Sequence, residues 1–141
     1  SNGEFVRSFG REILNYAIDI TVANDGRVLV LDIDKENYFV RIFNEHGDYL
    51  NKFKLHINNV CSSKITFHPA SGHVVVAANE EREINLMWVT IYSKDGKFVR
   101  SVKIQNSTDF SSLIGILGIT LKNDGTIAVI ICGFPGKVVV L

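Results

Sequence analysis

Apolar side chains in this sequence come in short bursts divided by turn residues. "VLVLDI" (28–33), "HVVVAA" (73–78) and "TIAVII" (126–131) are apolar at successive positions rather than at every second one. Runs of this length, rich in β-branched residues, are strands buried on both faces. Other bursts are mixed. "GDYLNKFK" from Gly47 and "GKFVRSVK" from Gly96 place Asn51, Lys52, Arg100 and Ser101 among aromatic and aliphatic residues, as an outer strand near solvent does. No window of comparable length spaces its apolar residues by 3.6, so the pattern predicts an all-β chain.

The bursts repeat. "IDITVANDGRVLVLDI" (18–33), "SKITFHPASGHVVVAA" (63–78) and "LGITLKNDGTIAVIIC" (117–132) each join a strand centred on Ile-Thr, a turn ending in Gly, and a second strand. Asn-Asp-Gly at 24–26 and 123–125 is hairpin chemistry, because Asp and Gly accept the backbone angles of tight turns. A second family, "FVRIF" (39–43), "WVTIY" (88–92) and "KVVVL" (137–141), supplies a third strand, and the "GDYLNKFK" type a fourth. Each unit is therefore four consecutive strands, here a, b, c and d. The turn glycines Gly26, Gly72 and Gly125 are 46 and then 53 residues apart. Four-stranded antiparallel units at this period predict a β-propeller, one blade per unit, with blades packed face to face.

The strand count is offset. "GEFVRSFG" (3–10) repeats the d phrase before any a strand, and the last unit ends at c, so the order is d, abcd, abcd, abc. At 141 residues this is one domain, spanning 3–141, with blades at 17–54, 63–104 and 117–141 and an outer strand at 3–9. The expected pairing sets Glu4, Phe5, Val6, Arg7, Ser8 and Phe9 beside Lys137, Val138, Val139, Val140 and Leu141. Three blades fall below the usual minimum of about four. Two copies would make six, so the chain is expected to partner itself as a homodimeric ring with strands exchanged at both seams. The competing explanation is that the sequence is part of a longer six-bladed protein.

The blade sequences also carry a family resemblance. "DGRVLVLDIDKENYFVRIFNEHGDYLNKF" resembles an NHL repeat, matching its pattern at Gly26, Asp32, Asn37, Phe43 and Gly47. Phe39 and, in the second copy, Trp88 stand where that pattern has Arg, and the later copies diverge further. The resemblance implies a propeller of typically six blades that acts as an interaction module. In tripartite-motif ubiquitin ligases such propellers recruit substrate while other domains carry the chemistry. It also implies that Asp32 hydrogen-bonds to loop amides.

Charge narrows the partners. Fifteen Lys and Arg balance fifteen Asp and Glu, leaving no global field to gather nucleic acid or an anionic membrane. In a meander the b–c and d–a loops share one face, the top, where propellers favour binding. Those loops carry Arg11, Lys35, Arg82 and Lys137 against Glu12, Asp34, Glu36, Glu80, Glu81, Glu83 and Asp109, a balance of −3. RNA is thus an unfavoured partner, since phosphate contacts supply most nucleic-acid affinity. A protein or peptide is the expected one, with Arg11, Tyr16, Tyr38, Arg82, Phe110 and Phe134 as candidate contacts. The four aromatics could instead fold down as plugs between blades.

Catalysis finds little footing. His46, His68 and His73 belong to the opposite, turn face and only His56 to the top, so no cofactor, metal or catalytic residue is predicted. The chain is expected to be no enzyme, with a metal-dependent propeller hydrolase or lyase, or an RNA-binding NHL domain, as alternatives. Cys61 and Cys132 lack metal-ligand spacing and are expected to be free, mostly buried thiols in a reducing, cytoplasmic setting.

Overall fold

A computed structural model describes residues 6–57, 60–80, 86–105, 115–122, 124–132 and 136–141. Among them are eleven strands: β1 (Tyr16–Val22), β2 (Val28–Asp34), β3 (Asn37–Phe43), β4 (Tyr49–Lys54), β5 (Val60–Phe67), β6 (Val74–Glu80), β7 (Leu86–Tyr92), β8 (Phe98–Gln105), β9 (Gly115–Leu121), β10 (Ile127–Cys132) and β11 (Lys137–Val140). They form three antiparallel meanders, β1–β4, β5–β8 and β9–β11, in sequence order. These are three consecutive blades of a β-propeller. The a strands β1, β5 and β9 lie side by side on the inner side, β5 against both others.

Unbroken apolar runs become strands sealed on both faces. Along β6, Val74, Val76 and Ala78 enter the core between blades 1 and 2, with Leu29, Leu31, Val40 and Ile42 opposite. Val75 and Ala77 point the other way, into the core between blades 2 and 3, with Ile127, Val129 and Ile131. Side chains alternate across a strand, so a central blade needs apolar residues at consecutive positions.

The repeat extends to its irregularities. A register shift falls between Ile42 and Phe43 where β3 meets β4, and another between Ile91 and Tyr92 where β7 meets β8. Shifts also interrupt the a–b pairings, at Ala17/Asp19 and at Val60/Ser62. Such bulges add local twist, which splays inner from outer strands. The hairpin glycines take their expected conformation, with φ of 82° at Gly26, 71° at Gly72 and 89° at Gly125. Neighbouring a–b turns touch, Asn24 Nδ2 donating to the Pro69 carbonyl at 3.1 Å, so these turns share a face.

In the single chain residues 6–10 are irregular, and among the described residues they pair with no strand; the pairing expected for this segment is with another copy's c strand. Glu4 and Phe5 lie outside the described residues. The b–c connection of blade 1 is a tight turn at Lys35–Glu36, with Lys35 at φ 58°. Cys132 is a free thiol, but an exposed one, because it sits at the end of β10 where no blade covers it.

A candidate binding cleft at the mouth of the inner strands

The top of blade 1 is organised by one carboxylate. Asp32, near the end of β2, is fully buried. Its Oδ1 accepts the amide N–H groups of Asn15 (3.0 Å) and Tyr16 (2.8 Å), fixing the entry into β1. Its Oδ2 accepts Arg41 Nε at 2.5 Å, and Arg41 also reaches Asp34 at 3.5 Å. A buried carboxylate needs such partners to stay charged. Its role as a holder of loop amides is therefore met directly. In blade 2 a neutral group does the same work: Asn79 Oδ1 accepts the Ser62 amide at 3.0 Å and the Ser62 hydroxyl at 2.7 Å. Ser62 Oγ in turn accepts the Ile116 amide at 2.7 Å, tying blade 2 to blade 3.

Between these anchors lies a cleft of about 320 Å³. Tyr16 and Ile18 of β1, Ile33, Tyr38, Val60, Ser62, Ser63 and Lys64, and Ile116 and Leu117 of β9 line it. The lining residues cluster at the start of each a strand, so the cleft opens at the top of the inner channel. At its inner rim Asp19 Oδ2 accepts the Ile65 amide at 2.9 Å, while Lys64 Nζ stands 3.8 Å from Asp19 Oδ1. The pair leaves the rim close to electrically neutral. The wall holds an unusual group. Ser63 is 2% exposed, and among the described residues its hydroxyl has no hydrogen-bond partner. A buried hydroxyl left unpaired carries a desolvation cost of about 1–3 kcal/mol.

Of the residues chosen from sequence, the structure brings two together here. Tyr16 is exposed on the rim. Tyr38 is buried in the wall, its hydroxyl donating to the Val60 carbonyl at 2.9 Å, so it is a plug between blades as much as a contact. Arg11 is elsewhere. The segment after Phe9 crosses the face of blade 1, and Arg11 borders a separate hollow with Phe43, Gly47 and Tyr49. Arg82, Phe110 and Phe134 lie outside the described residues. Ser63 was missed although the repeat marks it: in the aligned a strands it stands where Ile18 and Leu117 stand.

The histidines stay apart. His68 Nδ1 lies 2.6 Å from Ser71 Oγ and accepts the Ser71 amide at 3.1 Å, holding its own turn. His56 donates its amide to the Tyr92 hydroxyl at 3.1 Å. Among the described residues no group of three or more His, Cys, Asp or Glu side chains comes together to hold a metal ion.

No protein-family model matches the chain, and no curated protein matches it in sequence. The fold is similar to the crystal structure of a protein from Lactobacillus plantarum, a structural-genomics target. The TM-score is 0.52 at 13% identity, over 89% of this chain and 41% of that one. At that identity the likeness speaks to the propeller fold alone. The chain spans less than half the length of that protein.

Proposed function

We propose that this chain is an NHL-type propeller module that works by holding a protein partner, with an apolar side chain of that partner seated in the top cleft. The observation that carries this reading is the cleft's make-up: a mainly apolar wall and a neutralised rim. Such a lining suits a side chain that is mostly hydrocarbon. It suits a phosphate backbone poorly, since Lys64, the one cation at the rim among the described residues, faces a carboxylate.

The NHL assignment draws support from blade 1, where four of the five matched residues have a structural task. Asp32 binds loop amides and Arg41, Phe43 is buried, and Gly26 and Gly47 turn at positive φ. By that likeness the module would recruit substrate, as such propellers do in tripartite-motif ubiquitin ligases.

Selection of random peptides displayed on phage tests the reading. Enriched peptides should share an apolar anchor and lose at least tenfold in affinity on Leu117→Arg, a change at the exposed rim. Equal binding to wild type and variant overturns it. Tight stoichiometric uptake of Zn²⁺ or Ca²⁺, or salt-sensitive capture of a random RNA pool that Leu117→Arg leaves intact, would transfer the function to the metal or RNA alternative.

A further inference from the structure

On the turn face, opposite the cleft, the two seams between blades are built differently. At the first seam, between blades 1 and 2, Ala23 follows β1 and is buried in an apolar core with Phe67 packed against it. The equivalent residues at the second seam, between blades 2 and 3, are His68 after β5 and Leu121 of β9. From the outer strands, blade 1 presents Asn51 where blade 2 presents Arg100. An imidazole and a guanidinium therefore stand at the second seam where the first has a methyl and an amide.

The two groups border one pocket of about 180 Å³, whose apolar wall is Val75, Ile91, Leu121 and Ile127. All four strands of blade 2 and the a–b hairpin of blade 3 supply it; neither residues 6–15 nor β11 contribute. Ile65 and Phe67 belong to the core against blade 1, so alternation along the chain turns His68 toward blade 3. His68 is 8% exposed. Its Nδ1 accepts the Ser71 amide at 3.1 Å, so the neutral ring carries its hydrogen on Nε2. That nitrogen is buried and has no hydrogen-bond partner among the described residues. Arg100 makes no ion pair or hydrogen bond among the described residues, and no carboxylate lines the pocket. The pocket thus offers two donors, one of them a cation, beside hydrocarbon.

We propose that the second seam is a binding site for a small carboxylate with a short apolar stem. Its carboxylate accepts from His68 Nε2–H and from the Arg100 guanidinium, a charge-assisted pairing, and its stem lies on the apolar wall. The pocket is smaller than the roughly 300 Å³ at which sites for drug-sized ligands begin, so the ligand is a small molecule. The site lies on the face away from the cleft and does not depend on what the cleft holds.

Titration of the whole chain with butyrate, read by calorimetry and by the imidazole nitrogen resonances, tests the proposal. Butyrate should saturate the site below about 10 mM and shift the His68 Nε2 resonance. Butanamide keeps the shape without the charge, and inorganic phosphate keeps charge without the stem; each should bind at least tenfold more weakly. Arg100→Gln, a change at an exposed residue, should weaken butyrate about tenfold. His68→Asn keeps an acceptor for the Ser71 amide and removes the donor, so it should lose binding with an unchanged circular dichroism spectrum. Leu117→Arg, at the cleft, should leave butyrate binding as it is. No saturation by butyrate, equal binding of butanamide or phosphate, full affinity in Arg100→Gln, or loss of binding in Leu117→Arg overturns the proposal.

Discussion

Val40 and Val138 hold the same place in two blades, yet one is sealed and the other is 61% exposed. The difference lies in the neighbour, not in the residue. Blade 1 offers its c strand to blade 2; blade 3 offers an equivalent strand to nothing among the described residues. The sequence of a blade therefore prepares both of its faces for burial, wherever the blade stands in the array. Apolar surface at an end of such an array is interface waiting for a second surface, rather than a fault in the core.

The largest expected effect concerns what seals the other end. On the blade 1 face occupied by Asp32, blade 2 has Ala78 and blade 3 has Ile131, both packed in apolar cores. Asp32 instead fixes the incoming chain by charge-assisted hydrogen bonds. Asp32→Ala should cost about 3–5 kcal/mol, because it strands the buried Arg41 and two amide groups. A loss below about 1 kcal/mol in urea unfolding would show that the end is held by packing alone.

A second pair sharpens the contrast between covered and bare positions. Leu31→Ala should cost about 2–5 kcal/mol at any protein concentration. Ile130→Ala should cost well under that, roughly 1 kcal/mol, in dilute solution, and approach the Leu31 value only where the end face is covered. Equal losses in dilute solution would erase the distinction.

The glycines of the c–d turns give a third, smaller comparison. Gly96 and Gly47 have φ of 78° and 85°, and a Cβ on either would strike an aromatic ring, Phe53 and Phe9 respectively. Phe53 is held in a closed interface, whereas Phe9 sits on an irregular segment that can lift. Gly96→Ala should therefore lower stability more than Gly47→Ala. Gly125→Ala, with nothing near its Cβ, should show only the left-handed strain of about 1–2 kcal/mol. Thermal melts of the three variants rank them.

The smallest effect is in pH. Burial pushes the Tyr92 hydroxyl above its ordinary range, opposed by the amide hydrogen bond from His56. A raised phenol pKa means that the unfolded chain releases this proton first. Its contribution is then complete below the unfolded value near 10 and is lost as pH rises through the folded one. Tyr92→Phe should cost roughly 0.5–1.5 kcal/mol at neutral pH. It should also flatten part of the alkaline fall in melting temperature. An alkaline limb identical to wild type would place that proton elsewhere.

Much of this fold was legible in the residues. Consecutive apolar positions at 28–33 and 73–78, with Asp-Gly and Ser-Gly turns before them, announced blade strands and their order, since periodicity and turn chemistry are local properties. Asp32 was legible through the resemblance to the NHL repeat, which implies that this carboxylate holds loop amides, as it does. The register shifts at Phe43 and Tyr92 were not, as a bulge depends on how two strands twist together. Of the cleft, Tyr16 and Tyr38 could be named, but Arg11 could not be placed. The path of the segment after Phe9 is set by packing against Phe43 and Gly47 rather than by loop position. Ser63 was visible as a polar residue in an apolar column; its lack of a partner required coordinates.

Hydrogen exchange along β11 and β7 tests most directly the central claim that equivalent c strands differ only in what covers them. The account predicts that outward-pointing amides of β11, an edge strand in this chain, exchange freely, while those of β7, paired on both sides within its blade, are protected. Equal protection of the two strands would contradict it.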